Sequence, residues 1–310
     1  MLKFYERRHI FFAISLALML IGMISLFVNG VDLSIQFKGG AIISYSYDGT
    51  IDSEKVSQIA TQSLSRNTTT QLTTDATGGN QKVVLSLAGN QGLSPDEHQS
   101  LEQALKNGFP DNNLTLSESN VVEPFIGRRF LTNGALAIAI SALLIMIYVW
   151  VRFKKISGLS AGVMALIALL HDVLLVFFTF TVFKIPLDES FVAVTLTIIG
   201  YSINDTIIIY DRIRENQKLD RKMAYIPLVN KSITQTLARS IITVVMTLIA
   251  IITVFIFASI YNIESIKTFA LPMIIGLSTG CYSSICLASP MWVMWQNHKL
   301  NERAKLKAKA

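Results

Sequence analysis

Apolar and polar positions divide the 310-residue chain into two unlike parts. Six segments are nearly continuous apolar runs, at about 10–29, 131–151, 158–183, 190–210, 237–258 and 268–294. Each is close to the ~20 residues a helix needs to cross a bilayer. The stretch between the first two, 30–130, alternates instead. Residues 41–47 (AIISYSY) and 82–88 (KVVLSLA) read as strands, with a polar strand near 68–75, a turn at Gly78–Gly79–Asn80 and a last strand near 113–122. Ser53 and nearby acids open a helix over 53–66. Ser94–Pro95–Asp96–Glu97 opens a second that runs to about Asn107, with Gly108 and Pro110 past its end. The order β-α-β-β-α-β is the ferredoxin-like arrangement. The expected fold is a six-helix, α-helical polytopic membrane protein with a ferredoxin-like α+β insert between its first and second helices.

Composition agrees: 51% of residues are hydrophobic and 15% charged, too apolar and charge-poor for an ordinary soluble protein. The net charge of +6 raises nucleic-acid binding, but the bases cluster beside apolar spans, where membrane topology accounts for them. Eighteen of the 27 Lys and Arg residues fall in the N-terminus (1–9), the 152–155 loop, the 211–239 region and the tail (295–310). Seven spread over 30–130, and Lys184 and Lys267 sit in short loops. The positive-inside rule then predicts cytoplasmic termini, a cytoplasmic loop at 211–236 and a periplasmic 30–130 head. Trp150, Trp292 and Trp295 fall at predicted cytoplasmic ends, as an aromatic belt requires. The first span follows Lys3, Arg7 and Arg8 but is too long for a signal peptide, so a retained helix is expected.

One span contains a carboxylate. In residues 190–216, Asp205 sits about five residues before the predicted cytoplasmic end of the fourth helix. An ionised Asp in hydrocarbon costs about 2.5–3.5 kcal/mol, so such a residue marks function. Arg239 lies in the first turns of the fifth helix, at similar depth, with Thr243 one turn on along the same face. A buried Asp and Arg at matched depth would pair, and protonating the acid would open the pair. The plainer readings are a static ion pair fixing helix register, or an Arg239 that snorkels to headgroups. His171–Asp172 lies mid-way along the third helix, Asp172 about 14 residues from its start, or about 21 Å. It suits either an outer relay station or a local His–Asp pair. Asn204 suits an interhelical hydrogen bond.

Small residues suggest helix contacts: Gly158 with Gly162, and Gly276 with Gly280, each pair four apart. Pro272 should bend the start of the sixth helix. The run 211–222, DRIRENQKLDRK, reads as a solvated face continuing as an interfacial helix. Cys281 and Cys286 lie together in the last span, so neither a disulfide in the head nor a metal site is expected. The glycine pairs lack a following Gly-Lys-Ser/Thr, and neither His-Glu-x-x-His nor a nucleophile elbow occurs. No enzyme, cofactor or nucleic-acid partner is expected. Six spans and one insert form half of the two-fold layout common in transporters, which calls for a partner half.

The segment GYSINDTIIIYDRIREN (200–216), with His171–Asp172 upstream and NKSITQTLARS (230–240) downstream, closely resembles the SecF side of the SecD/SecF family of protein-export membrane subunits. The resemblance covers nearly the whole chain. It implies a six-helix half of a resistance-nodulation-division (RND) type bundle in the bacterial inner membrane, pairing with SecD and associating with the SecYEG channel. YajC and YidC are further candidate partners, unfolded preprotein is the cargo and lipids surround the bundle. It also implies use of the proton-motive force in late export, with Asp205, Arg239 and Asp172 matching family positions. Two departures stand out. Gln36 replaces the family's Asp before Phe37–Lys38–Gly39–Gly40, and Arg128–Arg129 adds bases on the outer side. The rival readings are a proton-driven small-molecule exporter of the same superfamily and a non-transporting anchor with a partner-binding head.

Overall fold

A computed structural model describes residues 3–34, 37, 40–66, 68–74, 81–88, 93–122, 124–261 and 263–309. The expected turn at Gly78–Gly79–Asn80, Gln36, and Lys38 and Gly39 of the Gly-Gly element lie outside the described residues. So does the side chain of Arg128.

After α1 (Arg8–Asn29), the insert folds as β1 (Gly40–Tyr47), α2 (Ser53–Leu64), β2 (Thr68–Thr74), β3 (Gln81–Ala88), α3 (Pro95–Gly108) and β4 (Thr115–Val122). The four strands form one antiparallel sheet, ordered β2-β3-β1-β4. Its apolar positions build a core of their own from Ile43, Tyr45, Val83, Leu85, Val56, Ala60, Leu101 and Leu105. Local chemistry sets the helix starts. The Asp52 side chain accepts from the Glu54 amide at 2.9 Å, not Ser53 as the sequence suggests. At α3 a capping box closes: Ser94 Oγ accepts from the Glu97 amide at 3.3 Å and Glu97 Oε2 from the Ser94 amide at 2.8 Å. That second bond, more than any other influence, holds the Glu97 carboxyl below its ordinary range.

The remainder is helical: α4 (Pro124–Arg152), α5 (Gly158–Val182), α6 (Glu189–Leu219), α7 (Tyr225–Ile260), α8 (Glu264–Ser283), a π-helical segment (Ser284–Ala288) and α9 (Ser289–Lys309). Among the described residues six helices are long and apolar enough to cross a membrane, α8 through α9 counting as one. Pro272 lies inside α8 without ending it. Surfaces divide sharply: α5, α6 and α8–α9 are mostly buried over their apolar windows, whereas α1, α4 and α7 are only one-tenth buried. An apolar face without protein against it is what lipid or another subunit covers.

Within the 211–236 stretch, the helix expected over 211–222 is present as α6 running on to Leu219, and the rest is also nearly all helix, because α7 begins at Tyr225. Pairs one turn apart support the polar extension, Arg214–Asp211 and Arg212–Glu215, both at 2.6 Å. Asn216 Nδ2 then ties it to α7 through Ser232 Oγ (2.9 Å) and Gln235 Oε1 (2.8 Å). Trp292 also departs from expectation. It is fully buried rather than placed in a belt, edge-on to Tyr225 at 5.5 Å, while Trp150 and Trp295 are exposed.

Candidate functional site

Asp172, at 0% exposure, is the most completely bonded acid of the bundle. Its Oδ1 lies 3.1 Å from His171 Nδ1. Its Oδ2 accepts from Ser202 Oγ on α6 and Ser283 Oγ at the end of α8, both at 2.7 Å. When Asp172 is ionised its oxygens can only accept, so the hydroxyl hydrogens then point at it and the facing His171 nitrogen carries the hydrogen. The seam continues through Thr206 Oγ1, which donates to Ser284 Oγ at 2.9 Å, and Ser284 Oγ, which donates to the Ser202 carbonyl at 3.0 Å. Three helices thus meet through hydroxyls around one acid.

The glycines explain how α8 comes so close. A Cβ at Gly280 would stand 3.0 Å from Ser202 Cβ, and one at Gly276 would stand 2.7 Å from Ile198 Cγ1 and 2.9 Å from Val176 Cγ2. Gly158 faces the backbone of Trp150 and Phe153 at the α4–α5 turn, whereas Gly162 has ordinary room beside Met146. Gly22 of α1, unremarked in the sequence, is closed in by the Phe178 ring.

Asp205 lies one turn along α6 from Tyr201, also buried, at 1% exposure. The expected ion pair with Arg239 is not formed: among the described residues no cation stands within 4 Å of Asp205. The reason is the rotation of α7. Ser240, not Arg239, is turned to the interior, and Arg239 is on the outer side. Asp205 Oδ2 and Ser240 Oγ are both buried without a hydrogen-bond partner among the described residues. Arg239 instead lines a cavity of about 600 Å³ with Asp211, Arg212, Glu215, Lys218 and Gln235, between the polar ends of α6 and α7. Thr243 is exposed beside it and donates to the Arg239 carbonyl at 2.8 Å. Asn204 is exposed too, and no described residue takes the interhelical bond expected of it.

The model of the C-terminal part of the SecD/SecF protein-export membrane proteins matches residues 101–298. A protein translocase subunit SecF from Alicyclobacillus acidocaldarius is 35% identical over 95% of this chain and 93% of its own. This chain belongs to the SecD/SecF family. SecF of Rickettsia akari is 32% identical over 97% of this chain and 94% of its own. The crystal structure of SecDF from Thermus thermophilus, described as a translocon-associated membrane protein, superposes with a TM-score of 0.77 at 29% identity over 96% of this chain. This SecD/SecF-family chain spans 39% of that longer chain.

Sequence reasoning found Asp172, His171 and Asp205 but missed Ser202, Thr206, Ser240, Ser283 and Ser284. The signals were slight. Ser202 and Thr206 stand four apart on the helix that carries Asp205, and Ser283–Ser284 is a hydroxyl pair in an apolar run. Hydroxyls in apolar helices often bond only their own backbone, as Thr247, Thr253 and Ser278 do here, so residue type alone does not mark a network.

Proposed function

We propose that this chain is the SecF-type accessory subunit of the bacterial protein translocase, acting with SecD and the SecYEG channel, and that it couples proton flow to late export of unfolded preproteins. YajC and YidC belong to the same set of candidate neighbours. In this reading the six spans are one half of an RND-type bundle in the inner membrane, with both termini cytoplasmic and a periplasmic, ferredoxin-like head. The full-length likeness to SecF subunits supports the placement in the translocase.

The proton role rests on one observation. Asp205 is buried in a membrane-length helix with an oxygen that has no hydrogen-bond partner among the described residues. A carboxylate so placed is costly when ionised and can shed that cost by taking a proton. Arg239, Thr243 and Asn204 are each exposed in this chain, so groups from outside it can complete the site. Each proton is worth about 2.3 kcal/mol per 100 mV, sufficient to bias two helix arrangements. Asp205→Asn should assemble normally with SecD and lose proton-driven export, measured as translocation into membrane vesicles with and without a proton gradient. Undiminished gradient-dependent export in that variant would reject the proton role.

A further inference from the structure

Ser202 Oγ and Ser283 Oγ each stand 2.7 Å from Asp172 Oδ2 and, at 3.5 Å and 3.1 Å respectively, reach one shared alternative acceptor, the Gly280 carbonyl. A serine hydroxyl has a single hydrogen, so each can serve the carboxylate or the carbonyl. The state of Asp172 decides between them.

We propose that Ser202 and Ser283 are positioning residues that transmit the protonation of Asp172 to α8. The inference rests on the proton-coupled reading above and assigns it a second acid with a mechanical output. Ionised Asp172 accepts both hydroxyls and pins α8 to α5. A proton arriving from the aqueous phase and bonding to Oδ2 turns that oxygen into a donor. Oδ2 can then no longer accept both hydroxyls at full strength. One serine takes the new O–H as an acceptor and turns its own hydrogen elsewhere; no hydroxyl hydrogen leaves its oxygen. Ser283 has the nearer alternative, Gly280 on its own helix. Once it turns, the direct side-chain bond from α5 to α8 is released.

The chain after Ser283 is built to give way. The π-helical segment Ser284–Ala288 follows at once, and such a turn absorbs a change of register without breaking the helix. Ser284 stays tied to α6 through Thr206 and the Ser202 carbonyl, so the movement is about α6. Both oxygens are occupied, Oδ1 by His171 Nδ1 and Oδ2 by the two hydroxyls, and Oδ2 is the one whose donors have another acceptor to turn to, the Gly280 carbonyl, so it is the oxygen that takes the proton. His171 Nε2 is itself buried without a partner among the described residues. Along the middle of the packed helices the other titratable groups are Tyr201, Asp205 and Tyr210 of α6 and Cys281, Tyr282 and Cys286 of α8–π. Glu189 and the charges from Asp211 to Lys218 lie at the ends of α6, Glu264 and Lys267 at the start of α8, and His298 and Lys299 in the exposed part of α9. Helices α1 and α4 bring theirs only toward their ends, at Arg8, His9, Arg129, Tyr148 and Arg152.

Infrared difference spectra of the intact complex in lipid nanodiscs, acid minus alkaline, test this. A protonated-carboxyl band that Asp172→Asn removes should change position in Ser202→Ala and Ser283→Ala. Its pH midpoint should move by about one unit, the size expected for losing a hydrogen bond to a charged group. Ser283→Thr should restore the parental band and show that the fold is intact. A band at the parental position in both alanine variants overturns the proposal, as does the absence of any Asp172 band across the pH range. A lowered melting temperature with an unmoved band would leave the serines structural, and overturns it too. The outcome is separable from the export test, because Asp205→Asn should leave the Asp172 band in place whatever it does to translocation.

Discussion

At the scale of single residues, the two buried acids differ in what surrounds them. Asp172 is held by three side chains, whereas Asp205 Oδ2 has none. Substitution should therefore have opposite emphasis. Asp172→Ala strands a histidine nitrogen and leaves the two hydroxyls only the Gly280 carbonyl between them, at about 1–3 kcal/mol for each group left unpaired. It should lower the melting temperature in detergent markedly. Asp205→Ala strands no described donor and should melt within a few degrees of the parent. Comparable melting losses for both would mean that Asp205 has a partner of equal weight. In the head, the α3 capping box carries a sign that can be checked. The Ser94 amide stabilises ionised Glu97, so its contribution is present above the ordinary carboxylate range, near 4.5, and lost as pH falls through the lower folded value. The protection of the Ser94 and Glu97 amides against hydrogen exchange, relative to the intrinsic rate at each pH, should fall on acidification and do so less in Glu97→Gln.

At the scale of elements, close packing of α8 on α5 and α6 depends on two absent side chains. Gly276→Leu would drive atoms into Ile198 and Val176, an overpacking that costs about 1–3 kcal/mol. The same change at Gly162, where a Cβ has 3.6 Å or more, should cost less; thermal unfolding of the pair measures the difference. Elements were the most readable part of the chain. Length and hydropathy place the spans, and alternation plus caps place the strands and helices of the insert, because burial on one face leaves a period in the residues themselves. Rotation about a helix axis leaves weaker marks in an apolar span. Arg239 and Ser240 are adjacent in sequence and turn to opposite environments, and nothing in an apolar helix says which of the two faces inward. The buried Trp292 misleads for a similar reason: position along the chain suggests a boundary, but packing against Tyr225 and Tyr210 decides.

For the molecule as a whole, the apolar outer faces of α1, α4 and α7 and the open side at Asn204 and Arg239 need covering from outside the chain. The charge pattern predicts which ends face the cytoplasm. Single cysteines introduced at Ser65 in the head and at Lys218 at the tip of α6 should separate cleanly, with Cys281 and Cys286 first changed to Ala. A membrane-impermeant thiol reagent added to spheroplasts should modify the first and spare the second; labelling of Lys218→Cys from outside would invert the topology. The helix pair α6–α7 adds a mechanical property. At 31 and 36 residues they measure about 46 and 54 Å, against a hydrocarbon layer of about 30 Å. Asn216, bridged to Ser232 and Gln235, binds the overhanging parts into one rod. A rod longer than its bearing is a lever: a few degrees of tilt inside the bilayer become a swing of its far tip through the aqueous phase, where another protein can feel it.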